Sequence, residues 1–513
     1  MNYLSFPVVI SNMRISTFSS GKILTGFTFI VFCIYLLYRL FLISTPYPDI
    51  GGVENNVVYF IQRLLAGELL YTDPEKVPYS IAQYSPFYYY ITKSIGNLLG
   101  IQADEVMRVF MLSRSVSLCL NLLYAVIIYL IGKNVFTLSI RRSSIVAMMA
   151  FIFLDISSYS RPDSLSHVFF LLSLYYFLLS LIREKEGRKT FHLVVTSGVI
   201  AACAFFSKQS AITIPVIILI WYLWKKQFSR LFYFFITYAI TAFIIILWVL
   251  QFTSLGIFYK NIVLGVNNGI NPHWYWGIII GGFLQYFGLI FIPAWIVVYF
   301  LLRKESASYL QFTRMYLLAL FIFCNLFALK FGSSAVYFTE WWSVLFLVFA
   351  YYWDSISKIA GSIHERITLI VILFVVFIKL ALVSYPFWSL MKKQHREMGT
   401  QMYQREKKIA GYIKNQTAKL DYPVFNNLYS PESFLNNFLF REAVMPQFEI
   451  VIFSTYAREV FDYNDFKQRL NTGKIRWVIT KSSGAQLEFM DLKLEHFQLT
   501  DTLKGYNLYQ YKP

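Results

Sequence analysis

The chain has 513 residues, of which 57% are hydrophobic and only 14% are charged. Soluble globular proteins are about a quarter charged, so this composition excludes an ordinary soluble protein and predicts a membrane protein. The formal net charge is +18, but the basic residues form short clusters between apolar runs. That arrangement is the positive-inside pattern and not a nucleic-acid-binding surface, so no nucleic acid partner is expected.

The first long apolar run covers Leu24–Ile43. A membrane helix needs about 20 residues, and the apolar region of a signal peptide has only about 7–15, so we expect a retained first span. Ten further apolar segments bring the predicted total to about 11 transmembrane helices. They are Val109–Ile131, Ser143–Ile156, Ser164–Ile182, Phe191–Phe206, Ala211–Trp224, Leu231–Leu250, Gly277–Leu302, Met315–Leu329, Trp341–Trp353 and Ile367–Phe387.

Basic clusters occur at every second connection between these segments. Their members are Lys133, Arg141 and Arg142; Arg183, Lys185, Arg188 and Lys189; Lys225, Lys226 and Arg230; Arg303, Lys304 and Arg314; Lys358 and Arg366. If these loops face the cytoplasm, residues 1–23 are a cytoplasmic N-terminus, 24–387 the transmembrane region and 388–513 an extracytoplasmic tail. A multi-pass protein of the plasma or inner membrane is therefore predicted.

The first outer loop, residues 44–108, is predicted to hold interfacial helices. Glu54–Ala66 has apolar residues at helical spacing and Gly67 as a stop, and its polar face suits a helix that lies in the membrane interface. A second stretch, Tyr79–Leu99, is rich in tyrosine, which is typical of an aromatic belt.

The tail is charged and carries alternating short strand and helix patterns, so a small α/β domain is predicted. The candidate strands are Pro423–Asn426, Phe448–Phe453, Ile475–Thr480 and Tyr506–Tyr511, and the candidate helices are Met402–Ile413 and Tyr463–Leu470.

Two acids stand just outside the first span, Asp49 and Glu54, with two glycines between them. At the mouth of a membrane cavity they could supply a general base and a second polar contact. The alternative is a solvated acidic loop in which Glu54 favours a helix N-terminus.

Further ionisable groups recur at the predicted outer ends of later spans. Arg161 and Asp163 lie in a very short loop, and ionisable residues at membrane depth are costly and tend to be functional. Lys208 could bind a phosphate as a point charge or anchor the interface, and Lys330 and Glu340 bracket a late outer loop.

His167 lies one helical turn from Asp163. The two are therefore the candidates for a metal site, although a lone histidine is more often structural. No cofactor is certain from the sequence, and a divalent metal stays open.

Taken together, these features resemble one known family. The run Pro48-Asp49…Glu54…Gly67-Glu68-Leu69-Leu70-Tyr71-Thr72-Asp73-Pro74…Tyr84-Ser85-Pro86, with Arg161-Pro162-Asp163, Ser207-Lys208-Gln209 and Tyr337-Phe338-Thr339-Glu340, is similar to the outer loops of GT-C membrane glycosyltransferases. The bacterial branch related to protein O-mannosyltransferases, aminoarabinose transferases and galacturonosyltransferases (glycosyltransferase family 39-like) is the nearest in pattern. The aminoarabinose transferases carry an acidic–Lys–Pro sequence where this chain has Tyr84-Ser85-Pro86.

The resemblance implies an inverting transfer of a sugar from a polyprenyl-phosphate donor to a lipid, glycan or protein acceptor. It implies Asp49 as general base, and Glu54, Asp163, Tyr337 and Glu340 as groups that position donor or acceptor. Arg161 and Lys208 would bind the lipid phosphate. The alternative function is a transporter or flippase of a lipid-linked glycan, for which inverted repeats and polar breaks within spans would be expected; the sequence shows neither.

Overall fold

A computed structural model describes most of the chain. The described residues are 20–46, 53–154, 159–280, 307–355, 393–417, 420–427, 433–447, 451, 459–481, 494–503 and 505–513. Asp49, the predicted span Ile367–Phe387 and most of the predicted span Gly277–Leu302 lie outside them.

The larger part of the molecule is helical. Among the described residues, ten α-helices precede residue 270: α1 Ser20–Ser44, α2 Val53–Leu65, α3 Phe87–Leu98, α4 Val106–Asn134, α5 Ile140–Ile152, α6 Asp163–Lys185, α7 Phe191–Phe205, α8 Thr213–Trp224, α9 Phe228–Leu250 and α10 Leu255–Ile262. Later come Ser308–Ala328, a helix over 339–355 that begins after a 3₁₀ turn at Ala335–Phe338, and Lys393–Thr417.

Five of the described helices are long and apolar enough to cross a membrane. They are Leu24–Ser44 of α1, α4, α6, α9 and Ser308–Ala328, and each matches a span predicted from the sequence. Helices α5, α7 and α8 are apolar but have only 13, 15 and 12 residues. The α-helical membrane fold is therefore confirmed, whereas the total of 11 spans stays a prediction.

The helices pack around one large apolar core, in which α6 and α7 are locked by a reciprocal polar contact. The Ser173 hydroxyl donates to the Ser197 carbonyl at 2.9 Å, and the Ser197 hydroxyl donates to the Ser173 carbonyl at 2.9 Å. Such serine pairs hold membrane helices together at close range. Ser173 follows Asp163 by ten residues and Ser197 precedes Lys208 by eleven, so this register brings Asp163 and Lys208 to the same level.

Basic connections gather at one end of the bundle. Arg230, in the first turn of α9, pairs with Glu184 at the end of α6, and Arg142 pairs with Asp354 at 2.5 Å. The Lys225 amine donates to Gln311 at 2.7 Å. The described basic loops thus share one end, and Asp163 and Lys208 lie at the other; which end faces the cytoplasm stays a prediction.

The outer loop and the tail form one packed unit. Asn55 of α2 donates to the Ser433 carbonyl at 2.8 Å, and Gln62 donates to the Asn437 carbonyl at 2.9 Å. Both side chains are buried, and buried amides need such partners. The prediction that the polar face of α2 meets lipid headgroups is therefore wrong, because the tail covers that face.

The tail itself contains a four-stranded sheet in the order β1-β2-β4-β3, made of β1 Val424–Asn426, β2 Trp477–Lys481, β3 Phe497–Leu503 and β4 Tyr506–Tyr511. Strands β1 and β2 are parallel, and the other pairs are antiparallel. The predicted α/β tail is confirmed, but β3 was missed because most of its side chains are exposed or half-buried. Most of the predicted strand Phe448–Phe453 lies outside the described residues.

Candidate functional site

Arg114 of α4 stands at the centre of the outer end of the bundle. Its Nε and Nη2 donate to the two carboxylate oxygens of Glu54 at 2.7 and 2.6 Å, and its Nη1 donates to the carbonyls of Leu42 and Thr45 at 2.8 and 2.7 Å. The Ser160 backbone N–H and hydroxyl donate to the same carboxylate at 3.1 and 3.0 Å. One buried bidentate ion pair therefore joins the end of α1, the start of α2, α4 and the loop before α6.

This ion pair brackets the segment that carries Asp49. Thr45 precedes Asp49 by four residues and Glu54 follows it by five, and both bind Arg114. Glu54 itself is fully buried and accepts from Arg114 and Ser160, so any influence of Glu54 on substrate would pass through the position of these segments.

The second feature is a buried pair between Asp163 and Lys208. Asp163 is the first residue of α6, where a carboxylate is favoured by the helix dipole. Lys208 follows the end of α7 in an extended conformation, and its amine donates to the Asp163 carboxylate. The Tyr337 ring lies 4.7 Å from the same amine, a cation–π distance. The predicted outer-loop residues Asp163, Lys208 and Tyr337 are thus in one cluster.

Arg161 and Tyr84 lie near the cluster of Asp163, Lys208 and Tyr337. Burial raises the pKa of Tyr84 to about 12; Asp163 adds to the rise, and Lys208 and Arg161 oppose it. The Arg161 backbone N–H donates to the Ser117 hydroxyl at 3.2 Å. The outer loops before α3 and α6 therefore meet at the Asp163–Lys208 pair.

Lys330 supplies a further positive charge. Burial, and then the charge of Lys208, lower the pKa of Lys330 to about 8. Among the described residues Lys330 forms no ion pair with a carboxylate. A second ammonium group near Lys208, whose own charge is already paired with Asp163, favours the binding of an anion.

A cavity adjoins the cluster. Asp163, Lys208 and Tyr337 lie on its wall together with His167 and Glu340. His167 Nδ1 lies 2.5 Å from Glu340 Oε1, and both side chains are buried. The cavity also has apolar walls, formed by Phe170, Leu320 and Phe327.

The sequence offered Asp163 and His167 as candidate metal ligands. Among the described residues, however, no group of three or more His, Cys, Asp or Glu side chains is placed to hold an ion. Asp163 is paired with Lys208, and His167 is paired with Glu340. A site that includes Asp49 falls outside this part of the chain.

Two functional residues were missed or undervalued from sequence. Arg114 lies within an apolar run, and a lone arginine inside a predicted span is itself a signal for a buried partner. Lys330 was noted as a loop boundary, but its proximity to Lys208 could not be read from a separation of 122 residues.

No family model matches the sequence, and no curated protein matches it. The fold, however, is similar to solved structures. ArnT from Cupriavidus metallidurans in the apo state has a TM-score of 0.61 and 11% identity, over 94% of this chain and 97% of that chain. The same protein bound to undecaprenyl phosphate has a TM-score of 0.58 and 12% identity over the same shares.

A second similar structure is the archaeal oligosaccharyltransferase AglB from Archaeoglobus fulgidus in complex with an inhibitory peptide and a dolichol-phosphate. Its TM-score is 0.54 at 12% identity, over 88% of this chain and 69% of that chain. ArnT is an aminoarabinose transferase, and both proteins are GT-C superfamily enzymes. At these identities the likeness concerns the fold: the chain has the GT-C fold, as its outer loops predicted.

The Arg114–Glu54 pair gives a stability prediction. Replacing Arg114 with Met leaves the Glu54 carboxylate buried without its cation, so we expect the free energy of unfolding to fall by about 3–5 kcal/mol. Thermal unfolding in detergent measures the change. As a matched control, Arg108→Met removes an exposed ion pair with Glu105 and should change the free energy of unfolding far less, because water screens exposed pairs. Equal effects of the two substitutions would contradict a central role for Arg114.

Proposed function

We propose that this chain is a membrane glycosyltransferase that moves a sugar from a polyprenyl-phosphate donor to a lipid, glycan or protein acceptor, with inversion at the anomeric carbon. The observation that carries the proposal is the buried Lys208 on the wall of a cavity at the end of the membrane helices, near enough to Lys330 for its charge to lower the pKa of Lys330. That end is where the phosphate of a membrane-embedded lipid would sit. The GT-C fold is the setting in which ArnT is found bound to undecaprenyl phosphate.

In this proposal Asp49 is the general base. The acceptor hydroxyl attacks the anomeric carbon, its proton passes to the Asp49 carboxylate, and the bond from that carbon to the phosphate oxygen breaks. The electron pair leaves with the polyprenyl phosphate. Because the attack comes from the face opposite the phosphate, the configuration inverts.

The cations stabilise the leaving phosphate. Lys208, Lys330 and Arg161 would offset the negative charge that develops on it. Asp163 holds the Lys208 amine, and Tyr337 packs against that amine, so both would position a phosphate-binding group. Glu54 would act indirectly, by fixing the segment that carries Asp49.

A transporter or flippase of a lipid-linked glycan is the alternative. Transporter sites lie near the middle of the membrane, on broken helices. Here Asp163 is the first residue of its helix and Lys208 follows the end of another. The position of these charges favours a transferase that works at one membrane face.

The proposal requires that Asp49 be essential for chemistry. Asp49→Asn should lower kcat by a factor of about 10²–10⁴, the usual contribution of a general base, while leaving undecaprenyl phosphate binding intact. Transfer from polyprenyl-phospho-sugars by the purified variant measures this. Asp104→Asn, at an exposed position of the same outer loop, is the control. Undiminished transfer by the Asp49 variant would rule out its role as base.

A second expectation concerns Lys330 and pH. Lys330 is charged below its pKa of about 8, so undecaprenyl phosphate should bind less tightly as the pH rises from 7 to 9. Lys330→Met should weaken binding at pH 7 about tenfold, a change of about 1.4 kcal/mol. Lys330→Arg keeps its charge and should remove the pH dependence.

Binding can be followed by isothermal titration calorimetry with undecaprenyl phosphate in detergent. Lys76→Met, at an exposed lysine of the first outer loop, serves as the control for loss of one positive charge. If the pH dependence persists in Lys330→Arg, another group is responsible for it.

The site is proposed to face the extracytoplasmic side of the plasma or inner membrane, because the basic loops lie at the opposite end of the bundle. A phosphatase reporter fused after Pro513 should therefore be active, and one fused in the loop after Lys185 inactive. A cytoplasmic C-terminus would reverse the orientation and place the donor on the other leaflet.

A further inference from the structure

The His167–Glu340 pair has no part in the proposed chemistry, yet it lies on the cavity wall. α6 runs from Asp163 toward the basic end of the bundle, so His167 lies one turn, about 6 Å, deeper than Asp163. The side chains of His167 and Glu340 are only 5% and 10% exposed. Tyr124 supports the pair: its hydroxyl donates to the Ser343 hydroxyl at 2.6 Å, and its ring contacts His167 edge-on.

The pairing fixes the hydrogen-bonding character of the histidine. An ionised carboxylate only accepts, so Nδ1 of His167 carries the proton that Glu340 binds. In the neutral ring Nε2 is then an acceptor. This nitrogen is buried and has no hydrogen-bond partner in the described part of the chain. A buried acceptor of this kind requires a donor from a ligand or from water.

The phosphate, the prenyl chain and the sugar of a polyprenyl-phospho-sugar differ in whether they can bind next to His167 Nε2. The phosphate is an anion and would be repelled by Glu340, whose sole ion-pair partner among the described residues is His167; it is attracted instead to Lys208 and Lys330. The prenyl chain has no polar atom to satisfy Nε2. The sugar remains, since its hydroxyl groups are hydrogen-bond donors.

We propose that His167 and Glu340 form the sugar-recognising subsite, in which His167 Nε2 accepts a hydrogen bond from a hydroxyl or amine of the donor sugar. This inference rests on the proposed function. Because Glu340 puts a negative charge beside the bound sugar, the subsite takes a neutral or amine-bearing sugar and rejects a uronic acid. His167 is then a specificity-determining residue, and Glu340 orients it.

The test compares binding of the bare lipid with use of the loaded donor. His167→Asn keeps a donor toward Glu340 but lacks the Nε2 acceptor, whereas His167→Gln extends an amide oxygen toward the Nε2 position. Glu340→Gln keeps the shape and removes the charge. His192→Asn, at an exposed histidine of α7, is the control. Size-exclusion chromatography checks that each variant is folded and monodisperse in detergent.

The measurements are the Kd of undecaprenyl phosphate and the KM and kcat for undecaprenyl-phosphate-linked glucose, glucosamine and glucuronic acid. Wild type should use the first two donors at least tenfold better in kcat/KM than the third. His167→Asn should raise the KM for the glucose donor about tenfold and leave the Kd of the bare lipid unchanged, with partial recovery in His167→Gln. Glu340→Gln should narrow the discrimination against glucuronic acid.

The opposing outcomes are distinct. Suppose that the wild type binds undecaprenyl phosphate and transfers sugar. The proposed subsite alone is then overturned if His167→Asn leaves the donor KM unchanged, or if the wild type prefers the glucuronic acid donor. A rise confined to the KM of the acceptor also overturns it, since it assigns the subsite to the acceptor. Wild type that neither binds the lipid nor transfers any sugar overturns the proposed function, and the subsite with it.

Discussion

The outer end of this molecule depends on one buried guanidinium. Arg114 binds both oxygens of Glu54 and two carbonyls at the C-terminal end of α1. The last carbonyls of a helix lack partners within the helix and carry partial negative charge, so a cation there is favourable. The Glu54 carboxylate lies in the first turn of α2, where the partial positive charge of the helix dipole favours an anion. Each buried charge is thus satisfied by several hydrogen bonds, which is the condition under which a buried ion pair is tolerated.

The segments that flank the candidate site are held by this interaction at Thr45, Glu54 and Ser160. Ser160, which also binds Glu54, directly precedes Arg161 and lies three residues before Asp163. The Asp163–Lys208 pair then leaves little net charge, so an incoming phosphate would have to share Lys208 with a carboxylate. Lys330 resolves that difficulty because it brings a second cation without a described carboxylate of its own. Under the proposed function, the deeper Glu340 would have the opposite effect and keep the phosphate at the mouth of the cavity.

Much of the architecture followed from the sequence because hydrocarbon imposes strict demands on length and polarity. Helix α6 was predicted within one residue of its observed start, and α2 likewise. Long-range pairing was not predictable: nothing local indicates that Glu54 meets Arg114, or that the polar face of α2 meets the tail. Periodicity shows that a face is polar but not what covers it. Strand β3 was not predicted for a related reason, since a mostly exposed strand lacks the apolar alternation by which strands are recognised.

The joint packing of outer loop and tail has a consequence for biosynthesis. Asn55 and Ser433 are separated by 378 residues, and ribosomes add about 5–20 residues per second. The first outer loop therefore waits roughly 20–75 s for the tail that completes it. During this interval Asn55 lacks its Ser433 partner and Gln62 lacks Asn437, whereas the Gln62 contact with the Ala103 carbonyl needs only the first loop. The packing of the first loop is thus completed only after residues 433–437 have been translated.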